Sequence, residues 1–407
     1  MSNKQTPQLQ RRLNLTLLSL YGIGTILGAG IYVLIGKVAG YAGMTTPLAF
    51  MVAAVLAGLS AFSYAELVTR YPKSAAEAVY VYQAFSSHTL ALVMGLLIVA
   101  VGVTSSATLV NGLLGYLAEF VTVPRAFAIL AITIVLGVIV IWGISQSVWI
   151  ASVLTVLEVI GLLVVIWVTR DNWSQVPAAI PDMLAVTDMS VVIGILLGAF
   201  VAFYAYIGFE DMVNVAEEVR DPVTTLPRGI MIALFFTATF YVIVAVVSIV
   251  SVRPDILAQS DAPLAYIYKV QTGEEATFIG LISIISILNG ALVQMIMASR
   301  VLYGMSRNRW LPAFLSVVNA RTHTPINASL IIIGVILALS LLLPLLSLAK
   351  ITSFITLVVF ALINLALWRI KRIHGRGPAL NLPLWVPICG FVFCSGFIGF
   401  QAYQLIT

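Results

Sequence analysis

The sequence predicts an all-α integral membrane protein of about eleven spans, arranged as two inverted five-helix repeats. Three observations predict it. The 407 residues are 61% hydrophobic and 9% charged, whereas a soluble globular chain carries roughly 25% charged residues. Apolar stretches of about 20 residues, the length that crosses a bilayer as a helix, recur throughout the chain. Two of these stretches lie five spans apart, so they run in opposite directions, and each carries helix-breaking sequence at its middle. That is the pattern of a transporter built from inverted repeats.

In order, the spans are read at 14–39, 43–68, 86–118, 125–143, 148–169, 190–217, 228–252, 276–304, 326–344, 350–369 and 385–405. Residues 1–13 form an N-terminal tail, 14–169 the first repeat, 190–370 the second, and 371–407 a peripheral eleventh helix. Met1–Gln10 is polar and has no apolar core of a signal peptide. Of the 21 Lys and Arg, only Lys37, Arg125, Arg170, Arg253, Lys269 and Lys350 fall on one side of the membrane. The other side is then cytoplasmic and holds the N-terminus, in a cell inner membrane. An odd span count places Thr407 outside. Tyr71–Phe85 reads as a short amphipathic cytoplasmic helix, Arg220–Arg228 as a Pro-punctuated loop, and 253–275 as a cap over the outer mouth. Gly375–Pro378 reads as a flexible link.

Cys389 and Cys394 lie in the last apolar segment, and His88, His323 and His374 have no partner at metal-ligand spacing. No cofactor, metal or nucleic acid is expected. No nucleophile–base pair marks an enzyme. The first span holds Gly22, Gly24, Gly28 and Gly30, each costing about 1 kcal/mol of helix propensity against Ala. One reading is an unwound segment that lines a binding site, since irregular backbone in lipid survives only around a cavity. The other is that Gly24-xxx-Gly28 is a helix-packing motif. The sixth span holds Phe203-Tyr-Ala-Tyr-Ile-Gly-Phe-Glu210, with Gly208 as breaker and an acid at membrane depth, usually a functional sign.

Several motifs occur in order: Gly22–Tyr32, Ser63–Leu67 with Tyr71-Pro72, Phe203–Glu210, Ala216–Pro222 with Leu226-Pro227, and Ala298–Arg307 with Leu311-Pro312. Together they resemble the amino acid–polyamine–organocation transporter superfamily, and most closely its bacterial branch of cationic amino acid transporter-like proteins. The resemblance covers roughly residues 14 to 370. It implies a LeuT-like fold with helices one and six broken, and alternating access to a midplane site. It implies that backbone at Gly28, Ala29 and Gly30 binds a substrate carboxylate, favoured there by free N–H groups and the helix dipole. Relatives often carry Ser or Thr where Ala29 stands. The carbonyls of Ile26, Tyr204 and Ile207 would receive the amine, with Phe203, Tyr204 and Ala205 around the bound substrate.

Tyr204 and Tyr206 have the competing reading of ordinary packing aromatics. Glu210 either braces the unwound segment by accepting backbone N–H groups or takes part in protonation. Glu158 lies mid-span in Leu154–Gly161. It is read as the coupling proton site, as a permanently protonated group bonded to backbone near Gly24 or to Ser286, or as a residue off the site. Family members with a lysine at the equivalent place use it in place of sodium, and the acid here bars carrying that scheme over. Ser283, Ser286 and Asn289 in span eight either line a cation site or bond to their own helix. Thr104, Ser105 and Ser106 could face the side-chain end of the pocket. Glu66 and Arg300 belong either to an inner charge network or to solvated helix ends.

The function expected is a secondary transporter of small or neutral amino acids, proton-coupled or exchanging. Its partners are the substrate, protons and the lipid bilayer. A polyamine or simple-amine transporter is the alternative within the class. A receptor or channel on the same fold is the alternative outside it.

Overall fold

The computed structural model describes residues 13–73, 76–142, 148–319, 321–322 and 324–406. Residues 1–12 of the predicted tail, His323 and Thr407 lie outside them. Among the described residues, eleven long helices follow the predicted spans. They are α1 (Leu15–Ala42), α2 (Thr46–Arg70), α3 (His88–Ala118), α4 (Arg125–Trp142), α5 (Val148–Val168) and α6 (Met189–Phe203). After these come α7 (Pro222–Ser251), α8 (Thr277–Arg307), α9 (Ile326–Leu342), α10 (Leu345–His374) and α11 (Trp385–Ile406). Nine stretches among the described residues are long and apolar enough to cross a membrane, one of them spanning the α1–α2 junction from Gly30 to Arg70. Leu15–Gly28 and Ile326–Leu342 are shorter apolar helices.

Local chemistry fixes several of the ends. The N–H of Leu17 bonds the Asn14 side chain, that of Leu90 bonds Ser87, and those of Ser190 and Val191 bond Asp188. Each such cap is worth about 1 kcal/mol. α7 starts at Pro222, so the predicted loop 220–228 is mostly its first two turns. A proline in the first turn loses no helix bond, because that N–H has no partner anyway. Ala76–Phe85 is the expected short helix.

α1 is the central element and packs against α5, α6, α7 and α8. α3 pairs closely with α8, and α2 with α7, while α4 and α9 pack together and α11 lies against α10 and α2. At one end of the bundle, helices Pro254–Gln259 and Pro263–Thr272 within the long connector contact α1. There the Lys37 ammonium donates to the Ala258 carbonyl at 3.0 Å and pairs with Asp261 at 3.5 Å. At the other end, Glu66 is fully buried and accepts from Arg70 at 2.7 Å, from Lys371 at 2.8 Å and from the Leu382 N–H at 2.9 Å. Glu66 is therefore a tie between α2, α10 and the link to α11, and Arg300 is exposed. Leu13 pairs with the chain after the sixth span in both directions. Its N–H bonds the Glu218 carbonyl at 3.0 Å, and its carbonyl accepts the Arg220 N–H at 2.8 Å.

The two predicted breaks come out differently. α1 is helical without interruption from Leu15 to Ala42, so the break expected at Gly22–Gly30 is absent. Four glycines weaken this helix by about 4 kcal/mol in all. Opening it in a dry bundle leaves several backbone groups unpaired at several kcal/mol each, and the larger cost prevails. The glycines allow close packing instead. A Cβ on Gly22 would meet Met212, one on Gly24 would meet Thr155, and one on Gly30 would meet Ala205. The sixth span does break. α6 ends at Phe203, Tyr204–Tyr206 form a single tight turn, Ile207 is extended, and Gly208 has φ +131°. A short helix, Asp211–Asn214, follows.

Candidate functional site

The site builds outward from Gly208. Its φ lies where only glycine is comfortable, and a Cβ there would collide with the Thr25 carbonyl. The break is thus pressed against α1. The Thr25 hydroxyl lies 3.1 Å from the Gly208 carbonyl and 3.0 Å from the Gly22 carbonyl. The N–H of Gly208, freed from any helix, is taken by the Glu210 carboxylate at 2.9 Å.

Beside this junction lies a cavity of about 40 Å³. On a scale where one water needs roughly 10–15 Å³, it has room for a few waters. α1 contributes Tyr21, Gly24, Thr25, Ile26 and Gly30, and the break contributes Tyr204 and Ile207. Ser105 and Leu109 of α3, Ala151 and Thr155 of α5, and Asn289, Gly290, Val293 and Gln294 of α8 complete it. Its lining mixes polar and apolar groups and holds no ionised side chain. The hydroxyls of Tyr204 and Ser105 lie 3.1 Å apart, closing one wall.

The predicted residues divide. Ile26, Gly30, Tyr204, Ile207, Asn289 and Ser105 line the cavity. Gly28 does not, although a Cβ there would have no neighbour within 4 Å. Ala29 lies in the continuous helix. Because α1 is unbroken, the free N–H groups expected at Gly28–Gly30 are not on offer. Phe203 packs on Phe360 at 5.7 Å, and Ala205 touches Gly30. Tyr206 is off the cavity, its hydroxyl donating to the Phe50 carbonyl at 3.1 Å. Thr104 and Ser283 bond to carbonyls of their own helices, while Ser106 bonds across to the Ala291 carbonyl at 3.1 Å.

Glu158 is 1% exposed, and its carboxyl makes neither the bond to Ser286 nor the one to backbone near Gly24. Thr155 takes that position, its hydroxyl reaching the Leu20 carbonyl at 3.1 Å. Asn289, on the cavity wall, lies within electrostatic range of Glu158, whose two carboxyl oxygens have no hydrogen-bond partner among the described residues. The Tyr32 hydroxyl donates to the Glu158 main-chain carbonyl at 2.7 Å.

One residue escaped the sequence reading. Tyr241 of α7 is fully buried, its hydroxyl 2.7 Å from the Ile26 carbonyl and 2.9 Å from the Ala205 carbonyl. One proton is shared between the two segments that flank the cavity. The Tyr204 carbonyl accepts the Ile207 N–H at 3.2 Å. Two of the three carbonyls expected to receive an amine are therefore engaged within the protein.

The amino acid permease family profile matches residues 13–404. The chain belongs to that family. An uncharacterized transporter of Mycobacterium tuberculosis strain H37Rv is 30% identical over 413 residues, covering 95% of this chain and 85% of the relative. The branched-chain amino acid permease BcaP of Bacillus subtilis strain 168 is 28% identical, covering 89% and 82%. The vacuolar cationic amino acid transporter 4 of Arabidopsis thaliana is 28% identical, covering 92% and 65%. This permease is thus a multi-pass membrane protein of amino acid transport, and its similar proteins are transporters rather than enzymes. Its cavity occupies the junction of α1 with the broken sixth span.

Proposed function

We propose that the protein carries neutral L-amino acids across the cytoplasmic membrane by alternating access, with its N-terminus in the cytoplasm and its two five-helix repeats inverted. The observation that carries the reading is the cavity: it lies at the sixth-span break, mixes polar and apolar lining, and holds no ionised side chain. A cationic side chain has no counter-charge there, whereas a zwitterion finds backbone dipoles of both signs. The printed names of relatives divide between cationic and branched-chain amino acids, and the uncharged lining favours the second kind.

About 40 Å³ is too small for such a substrate, so this is a closed state. Substrate entry opens α1 at Gly28, where there is room. Opening frees N–H groups of Gly28, Ala29 and Gly30 for the carboxylate. The ammonium then takes the carbonyls of Ile26, Tyr204 and Ile207, displacing the Tyr241 hydroxyl from Ile26. Glu158 holds the coupling proton and senses the cavity through Asn289.

The test is counterflow in proteoliposomes. Vesicles preloaded with neutral L-amino acids should accumulate labelled L-leucine or L-alanine, and vesicles preloaded with polyamines should not. Polyamine counterflow alone would overturn the reading. Saturable counterflow of any substrate excludes a channel or receptor. Glu158→Gln should abolish the pH dependence of uptake, and unchanged dependence removes Glu158 from the coupling role.

A further inference from the structure

Below the cavity, away from the 253–275 connector, lies a second group of buried polar side chains with no part in the scheme above. Gln294 joins the two. It lines the cavity, and its amide nitrogen donates to the Asp211 carboxylate at 3.0 Å. Its amide oxygen has no partner, although the residue is 7% exposed. Asp211 is 5% exposed and lies within electrostatic range of Glu77, on the short helix Ala76–Phe85. Glu77 is 3% exposed, and one of its carboxyl oxygens is unpartnered. That helix is held to the end of the sixth span by the Ala76 N–H, which donates to the Asn214 side chain at 3.3 Å. The hydroxyls of Tyr64 and Tyr80, whose rings lie 6.4 Å apart, are also buried without partners near Glu77.

The groups acting on Glu77 itself are mostly acids, while Arg300 of α8 lies in electrostatic range of Tyr21, as Asp211 does. Glu210 and Asp211 face it from the sixth span, Tyr64 from α2 and Tyr80 from its own helix. α10 offers Arg369, which stacks on Phe85 at the far end of that helix, and α3 offers His88 against Tyr82. Buried polar atoms in native proteins nearly always have partners. Here the orphans include the Gln294 oxygen, which can only accept, and a Glu77 oxygen, which can only accept once its carboxyl gives up its proton. A guest that matches them donates several hydrogen bonds, accepts none and carries positive charge, which describes an ammonium group.

We propose that Glu77, Asp211 and Gln294 form a subsite for a primary ammonium group between the cavity and the cytoplasmic face, and that this subsite holds a proton when the guest is absent. Its place on the exit route rests on the transport reading, but the binding itself does not. Burial pushes the Glu77 carboxyl up to about 8. Below that pH the empty subsite holds its proton. An incoming ammonium favours the carboxylate and expels the proton to water, so guest affinity rises as the pH climbs through 7 to 9.

Proton release from the detergent-solubilised full chain in weak buffer at pH 7.5 tests this, with methylammonium as the probe. Tetramethylammonium, which has no N–H to donate, is the control. The wild type should release up to about one proton per chain with methylammonium and none with the control. Glu77→Gln, nearly isosteric, should release none, and Asp211→Asn should shift the response to higher methylammonium concentration. No release from the wild type, equal release with both cations, or undiminished release from Glu77→Gln would each overturn the subsite. Release without amino acid counterflow would retain the subsite and reject the transport reading, and counterflow without release would do the reverse.

Discussion

α1 and the sixth span lie against each other around Gly208, yet they answer the same question in opposite ways. α1 carries four glycines within Gly22–Gly30 and stays helical. The sixth span has only Gly208 within Phe203–Glu210 and breaks there. Glycine content therefore does not decide where a buried helix opens. What decides is whether the freed backbone groups find new partners. At Gly208 the N–H goes to Glu210 and the carbonyl accepts from Thr25. In α1 the segment Gly22–Gly30 carries no acid of its own, and α5, the sixth span and α7 fill the space its glycines leave.

Substitutions at the junction probe this contrast. The largest effect is expected for Gly208→Val. A β-branched residue at φ +131° against the Thr25 carbonyl should cost at least about 3 kcal/mol, read as lost folded yield and no transport. Wild-type behaviour there would mean that the break is not fixed by Gly208. Gly30→Val comes next, because its Cβ would overlap Ala205. A loss of about 1–3 kcal/mol should appear in thermal unfolding, and no shift would mean the two segments do not touch.

A milder outcome is expected for Tyr241→Phe. It removes one hydroxyl and leaves the Ile26 and Ala205 carbonyls sharing no donor, at about 1–3 kcal/mol. If substrate ammonium replaces that hydroxyl, KM should fall while maximal rate drops. A rise in KM would assign Tyr241 to holding the site rather than to competing for it. The smallest effect on stability, and of opposite sign, belongs to Gly28→Ala. With space around it, the added methyl should stabilise α1 by about 0.5–1 kcal/mol and slow turnover if α1 has to open there. Faster or unchanged turnover would place the opening elsewhere.

The spans were legible because about 20 apolar residues in a row have few other uses. The sixth-span break was legible for a related reason, since Glu210 is too costly at that depth to be incidental. The state of α1 was not, because helix propensity is a local property and the close contacts of Gly22, Gly24 and Gly30 come from other helices. Tyr241 was invisible for the same cause. In sequence it is one aromatic in the apolar run Phe236–Ser251, and the carbonyl it serves at Ile26 lies 215 residues away. Glu66 was noticed for its charge, but its partner Lys371 could not be read from spacing.

That last pair bears on how the chain is made. Glu66 emerges from the ribosome 305 residues before Lys371 exists, and Leu382 follows later still. For most of synthesis the acid has to wait near the membrane surface without two of its three final donors. Arg70, one helical turn away, reaches it as soon as α2 forms. The nascent chain thus carries its own temporary counter-ion, and the permanent ones arrive only when α10 and the link to α11 dock, so this corner of the bundle closes last.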